Sequence, residues 1–379
     1  MLLPFIMADH KVRSSLMKVN HQLPVRELGL FSITWPIFIE TLLNIFIRFV
    51  DIFMLSFVSD EAVSAVGVSN ELMTFTFILF NFVAMGTSVV ILQFLGAGKI
   101  RDVSRLSANA ISINLGFDLL ISGIVFALRE PLMRMYNLSP VLMEYADVYI
   151  MIVGRTLFTQ AMILSVSAII RSYGYTKEIM YATLGMNVLN IIGNYLLISG
   201  SFGLPELGVT GAAIATAVSR TFAMIALFVM MYWRLEMKIR LRDYLRIRSD
   251  YVKRILQIGV PAAREHMSYY SSQMMITFFI TFLRESALEA RVYILQIVNF
   301  IFLFAISVAK GMQILVGHMV SAGENERAFR QLFSSLKISI HVVLGAAFIV
   351  SFFREELLRL FTNDSEIITE SSNEKAHLL

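Results

Sequence analysis

Residues 30–58, LFSITWPIFIETLLNIFIRFVDIFMLSFV, decide the fold. Three charges, Glu40, Arg48 and Asp51, interrupt an otherwise largely apolar run. A helix of about 20 residues crosses a ~30 Å hydrocarbon core, so the run reads as a membrane span. Eight further windows follow at roughly 66–95, 107–128, 143–170, 178–200, 209–233, 255–283, 292–320 and 333–353. None alternates strictly between polar and apolar residues, and only helices or closed barrels satisfy their backbone in lipid, so the windows read as helices. The whole chain agrees: of 379 residues 57% are hydrophobic and 16% charged, with a mean hydropathy of +0.69. Soluble domains carry about 25% charged residues, so a soluble enzyme is excluded. The absence of Cys excludes a disulfide-stapled secreted protein and a thiolate metal site. The expected class is an all-α polytopic membrane protein.

Charge sets the orientation. With the N-terminus in the cytoplasm, 20 of the 32 Lys and Arg fall in cytoplasmic segments, 7 outside and 5 within windows. That bias follows the positive-inside rule, and it accounts for the net charge of +4 without a nucleic-acid partner. Residues 1–27 hold Lys11, Arg13, Lys18 and Arg26 but no cleavage site, and read as a cytoplasmic tail rather than a signal peptide. The basic block 234–254 reads as a cytoplasmic connector between two halves.

Those halves are copies. A shift of 225 residues lays Ile33-Thr34-Trp35-Pro36 on Ile258-Gly259-Val260-Pro261, and pairs Glu40 with Glu265 and Gly86 with Gly311. The same shift pairs Ala97-Gly98 with Ala322-Gly323, and carries Arg129 and Arg134 onto Arg354 and Arg359. Six helices separate the copies, so both insert with the same orientation, about an axis along the membrane normal. Of seven prolines, only Pro36 and Pro261 are expected inside helices, as matched bends with a structural or gating role. The expected organisation is a six-helix bundle over 28–233, a partial three-helix bundle over 255–368 and an aberrant polar tail over 369–379. That is about nine helices of an expected twelve, in two parallel-repeat bundles with the second incomplete. The tail reads as a C-terminal truncation, the alternative being a natural nine-helix protein.

Ionisable groups inside the windows are costly, at ~2.5–3.5 kcal/mol each on insertion scales, and each is a functional candidate. Pro36, Glu40, Asn44, Arg48 and Asp51 share one sector of about 120° on a helical wheel. Asp51 either takes up and releases protons or forms a static pair with Arg48, three residues away. Asn187, Asn190 and Asn194 share another face, as oxygen donors to Na+, hydrogen-bond donors to Asp51, or interhelical glue. Glu265, flanked by Arg264 and His266, is divided between cation binding and a structural or gating pair with Glu40. Lys310 is expected to neutralise Glu265 or a substrate anion, or to snorkel toward the cytoplasm. No metal spacing among the histidines and no phosphate-cradling loop is present, so no catalytic residue, metal or cofactor is expected beyond a coupling ion.

Several stretches resemble multidrug and toxic compound extrusion (MATE) transporters. They are Pro36 with Asp51-Ile52-Phe53-Met54, Ala62-Val63-Ser64-Ala65-Val66-Gly67, Gly86-Thr87-Ser88, Gly96-Ala97-Gly98, Ile170-Arg171-Ser172-Tyr173-Gly174 and the run from Gly208 to Thr216. The resemblance covers about 25–368. It implies twelve helices in two six-helix bundles around a V-shaped cavity, in a multi-pass bacterial cytoplasmic (inner) membrane protein. It further implies a monomeric antiporter, exporting organic cations or other amphipathic compounds in exchange for Na+ or H+. The archaeal-type branch sets an Asp in helix one beside an Asn and an Asp four residues apart in helix five. The matching positions are Asp51, Asn190 and Asn194, with Asn in place of the second Asp. Many relatives carry a second-half Glu eight residues after the proline, where this chain has Tyr269. Two alternatives stand beside efflux: a lipid-linked oligosaccharide flippase of the same superfamily, which would have a more basic cavity, and a membrane fragment that does not transport.

Overall fold

The computed structural model describes residues 29–134, 138–235, 237, 239–280 and 285–352. The tail expected over 1–27 and the polar segment over 369–379 lie outside the described residues, as do Arg354 and Arg359. Among the described residues all regular structure is helical. α1 spans Leu30–Leu55, α2 Asp60–Gly96, α3 Ile100–Arg134, α4 Pro140–Arg155, α5 Leu157–Ser172, α6 Thr176–Ile198 and α7 Gly208–Arg234. A short α8, Leu241–Leu245, leads into α9 Ser249–Ile280, α10 Glu285–Ser321 and α11 Asn325–Phe352. Among the described residues six helices (α2, α3, α6, α7, α10 and α11) are long and apolar enough to cross a membrane, and α4 with α5, taken as one bent span, makes a seventh. α1 and α9, of 26 and 32 residues, exceed the length a span needs at ~1.5 Å per residue.

Local chemistry sets several boundaries. Ser59 caps α2, its hydroxyl accepting from Ala62 N at 3.1 Å, and Asp60 and Glu61 complement the first turn. Ser139 and Pro140 open α4 in the same way. The fourth window is not one straight helix. It breaks at Thr156, with a 46° bend between α4 and α5. Thr156 Oγ1 bonds back to the carbonyls of Ile152 and Val153 at 3.3 and 3.1 Å, a side-chain competition that bends helices. A third proline, Pro131, also lies inside a helix, contrary to the two expected. It sits near the described end of α3, where its missing N–H leaves the carbonyl four residues back without its helical donor.

The repeat is carried into three dimensions. α10 ends at Ser321, 225 residues after the end of α2 at Gly96, and α11 starts at Asn325, 225 residues after the start of α3 at Ile100. The two tight turns match as well: Gly98 and Gly323 both adopt positive φ, at 72° and 80°. Gly98 N and Lys99 N close on Leu95 and Phe94, and Gly323 N and Glu324 N close on Val320 and Met319. Only glycine takes that left-handed C-terminal position without strain. The contacts between the copies are reciprocal. Gly86 of α2 lies against Gly259 of α9, and its repeat mate Gly311 of α10 lies against Thr34 of α1, the mate of Gly259. Leu92 meets its own mate Gly317, and Gly96 meets its own mate Ser321. Such self-matching pairs mark a two-fold axis running between α2 and α10.

The first copy is completed by helices with no counterpart among the described residues. Its main core joins α2, α3, α5 and α7 through buried residues such as Phe80, Ile91, Leu106, Val166 and Leu227. The connector docks on this core rather than looping freely. Asn109 of α3 donates to the carbonyls of Asp243 and Arg246 at 2.9 and 3.3 Å and accepts from Arg248 N at 2.7 Å. Tyr251 donates to Asp102 at 3.2 Å and packs edge-on to Phe94.

Candidate functional site

α6 turns Asn187, Asn190 and Asn194 inward, and all three are buried. The helices around them approach closely because Gly193 faces Ala215 and Gly211 faces the backbone of Leu197. Asn194 Nδ2 donates to Asp51 Oδ1 at 2.6 Å and reaches Asn190 Oδ1 at 3.2 Å, and Asn190 Nδ2 reaches Thr216 Oγ1 at 3.4 Å. Asp51, Asn190 and Asn194 are thus one hydrogen-bonded chain from α1 through α6 to α7. Asn187 turns instead to the Leu43 carbonyl at 2.9 Å, tying α6 to α1.

The charge that balances Asp51 is not Arg48. Arg48 is exposed, and among the described residues no ion pair joins it to Asp51. Three residues apart on one helix is within reach, but the Asp51 carboxylate is held by the α6 amide, and the Arg48 charge acts on Arg220. Arg220 of α7, one turn beyond Thr216, places its guanidinium over the Phe77 ring at 5.2 Å, and its charge acts on Asp51. Tyr149 of α4 completes the surroundings, donating to Asn70 Oδ1 at 3.3 Å. Arg220 Nη1 and Asn194 Oδ1 are buried with no hydrogen-bond partner among the described residues. The cluster therefore holds one carboxylate, amide and hydroxyl oxygens suited to a proton or a small hard cation, and one guanidinium that opposes a second positive charge.

Glu40 and Glu265 are not brought together. Glu40 accepts from Arg171 Nη2 of α5 at 2.8 Å on both carboxylate oxygens, with side chains only 14% and 19% exposed. Glu265 is exposed and makes no hydrogen bond or ion pair among the described residues. The prolines differ too, Pro36 being buried and Pro261 exposed. Lys310 faces the first copy instead of Glu265: the charges that act on it are those of Arg171 and Glu40. Beside this cluster, His318 Nε2 lies 2.7 Å from the Ser172 carbonyl, and the Ser172 hydroxyl contacts Ser88 Oγ at 3.0 Å.

Arg171, Arg220, Thr216, Tyr149 and His318 escaped the sequence reading as site residues because their roles depend on helices far apart in the chain. Asp118 of α3 escaped it despite a plain signal, an acid in the middle of an apolar window. It is fully buried, accepts from Ser122 at 3.1 Å, and leaves Oδ2 without a partner among the described residues. On the same face, Asn114 donates to Ser165 and to the Ala161 carbonyl.

A family model described as MatE matches residues 36–196 and 261–374, two segments that begin at the repeat-matched prolines. The chain is 39% identical over 347 residues to the uncharacterized transporter YisQ of Bacillus subtilis (strain 168), spanning 92% of this chain and 76% of that protein. It is 26% identical over 350 residues to a probable multidrug resistance protein NorM of Thermotoga maritima, spanning 92% and 75%. Among solved structures it matches an outward-facing multidrug resistance MATE family transporter of the MOP superfamily, with a TM-score of 0.82 at 18% identity, over 92% of this chain and 77% of that one. A MOP superfamily transporter from Pyrococcus furiosus matches with a TM-score of 0.79 at 19% identity, over 90% and 76%.

Proposed function

The chain belongs to the MatE family of multi-pass membrane transporters, and we propose that it exports organic cations or other amphipathic compounds across a bacterial cytoplasmic membrane in exchange for Na+ or H+. The observation that carries this reading is the polar chain at Asp51, where a carboxylate inside a span is held by Asn194 at 2.6 Å instead of by a neutralising salt bridge. An intramembrane acid with a single hydrogen-bonded oxygen is free to accept a proton or share a cation.

α1 links this site to the seam between the copies. Asp51 lies fourteen residues, or ~21 Å of helix, from Ile37 at the seam, and Glu40 and Pro36 lie along the same path. A proton or Na+ at Asp51 cancels its attraction for Arg220 and weakens its bond to Asn194, which changes how α1 is held against α6. The seam is closed at the end that carries the Gly98 and Gly323 turns. With the N-terminus in the cytoplasm that end is cytoplasmic, so the cleft between the copies opens outward, and rocking of one copy against the other exposes it to each side in turn.

The test is efflux of a fluorescent cation from proteoliposomes of the chain under an imposed pH or Na+ gradient. Asp51→Asn should reduce gradient-driven efflux by roughly tenfold or more at unchanged incorporation. Efflux retained by Asp51→Asn removes Asp51 from the mechanism. No efflux from the unaltered chain under either gradient overturns the transport reading and leaves a membrane fragment that does not transport.

A further inference from the structure

The connector between the copies turns one side to the protein and another away from it. Met237 is buried, and Ile239 and Tyr244 pack with it on the core of α2, α3, α5 and α7. α3 fixes the backbone: Ser112 Oγ donates to the Tyr244 carbonyl at 2.8 Å, beside the three bonds that Asn109 makes. Leu241 and Leu245, four residues apart on one face of α8, nevertheless remain 78% and 79% exposed. Ile247 is exposed as well, and Trp233, at the end of α7, is 82% exposed. Four large apolar side chains thus stay uncovered on a segment whose other side is packed and hydrogen-bonded.

The depth of this face identifies its surroundings. Asn109 and Ser112 lie ~14–18 Å along α3 from its start at Ile100, where the apolar window 107–128 begins. The connector therefore lies against the first turns of the apolar stretch rather than beyond the end of α3. It also joins the same-side ends of two further windows, 209–233 and 255–283. Tyr232 and Tyr244, whose exposed hydroxyls meet at 2.5 Å, stand beside Trp233 at that level. Amphipathic aromatic rings collect at a membrane surface in this way.

The charge on the same side is basic. Arg242 and Arg246 are exposed one turn apart, interleaved with the two leucines, and make no ion pair among the described residues. Arg240 is exposed too. The two acids of residues 240–250 are already engaged, Asp243 accepting from Arg240 N at 3.0 Å and Asp250 lying 3.6 Å from Arg248. Apolar side chains set among free cations, at the edge of the hydrocarbon, complement a surface with an apolar interior and negative headgroups.

We propose that the connector is a lipid-docking element. Leu241, Leu245, Ile247 and Trp233 enter the edge of the hydrocarbon, and Arg240, Arg242 and Arg246 gather anionic phospholipid headgroups around them. The clasp from Asn109 and Ser112 sets which face meets the lipid. The docking does not depend on export; only its leaflet, cytoplasmic when the N-terminus is inside, rests on the orientation given above. Because the connector joins α7 to α9, docking holds the covalent link between the copies at the membrane surface.

The chain has two tryptophans, so Trp35→Phe with Trp233→Phe gives a dark background into which Leu245→Trp places one reporter. The full chain is reconstituted in nanodiscs of phosphatidylcholine with a minor fraction of phosphatidylglycerol. An equal mole fraction of lipid carries brominated chains in each sample, on phosphatidylglycerol in one and on phosphatidylcholine in the other. The reporter at position 245 should be quenched in both, and about threefold or more strongly by brominated phosphatidylglycerol. High salt should shrink that excess, and Arg242→Gln with Arg246→Gln should remove most of it. Leu120→Trp in the same background, exposed within the apolar window of α3, should be quenched equally by the two lipids. Should Leu245→Trp fail to incorporate, Trp35→Phe alone leaves Trp233 as the reporter. Equal quenching at position 245 by the two lipids, or an excess untouched by loss of the two arginines, overturns the proposal. Red-shifted emission that neither lipid quenches also overturns it and leaves the face to a soluble protein partner. No arm reads transport, so a chain that exports nothing can still pass this test, and an active exporter can fail it.

Discussion

Glu40 and Glu265 occupy one position of the repeat, four residues after a proline, and end in opposite surroundings. Around α1, Ile33, Thr34, Pro36 and Ile37 are buried, and Glu40 is held by Arg171 at 2.8 Å. Around α9, burial follows Tyr251, Ile255 and Gly259 and then stops: Tyr269, Tyr270 and Met274 are 58%, 53% and 77% exposed. The difference comes from the helices outside the shared stretch. α5 and α6 stand over α1 and supply Arg171 and the asparagines, whereas among the described residues no counterpart of these helices stands over α9. A repeat fixes where a side chain sits on its own helix; its partner fixes what that side chain does.

The largest expected effect breaks this contrast directly. Arg171→Ala removes the ion-paired, hydrogen-bonded partner of a mostly buried Glu40 and should destabilise the protein by roughly 3–5 kcal/mol in thermal unfolding in detergent. Glu265→Gln, at the matching place, should change stability by no more than ~0.5 kcal/mol. The double variant Glu40→Gln with Arg171→Gln should recover most of the loss, since neither charge is then orphaned. Equal costs for Arg171→Ala and Glu265→Gln would mean that the two glutamates are equivalent after all.

An intermediate effect belongs to the first copy alone. Asn109→Ala removes three backbone hydrogen bonds that clasp the connector to α3 and should cost about 1–3 kcal/mol. Limited trypsin digestion should then cleave faster at Arg246 and Arg248, while cleavage near Arg327, in the second copy, stays the same. The smallest effect should be symmetric. Gly98→Ala and Gly323→Ala each force a side chain into positive φ, and each should cost ~1–2 kcal/mol. Similar shifts in unfolding temperature for the two would show that the turns, unlike the glutamates, are true equivalents.

Much of the fold was legible because membrane spans and glycine turns are set by residues close in sequence. Hydropathy located the helices, and the 225-residue shift anticipated matching helix ends and the paired Gly98 and Gly323 turns. The line from Asp51 to Asn190 and Asn194 was also legible, since helical spacing puts the asparagines on one face and the MATE resemblance joins them to α1. Three readings required more than spacing. Arg48 lies on the same sector as Asp51, yet the Asp51 carboxylate takes its hydrogen bond from Asn194, 143 residues away in the chain. The break at Thr156 came from a hydroxyl competing for backbone carbonyls within an apolar window. Lys310 chose Glu40 and Arg171 over Glu265, a choice set by which helices meet at the seam.

By itself, the sequence determined that the chain is helical and membrane-spanning, that it is built from two like-oriented copies, and which ionisable groups lie inside the spans. Apolar length, local turn chemistry and repetition are properties of neighbouring residues, so one dimension suffices to read them. Only the tertiary structure decided the partners: Asn194 and Arg220 for Asp51, Arg171 for Glu40, and the first copy for Lys310. In a low-dielectric interior a charge is governed by the few groups within several ångströms, and here those groups lie more than a hundred residues away along the chain.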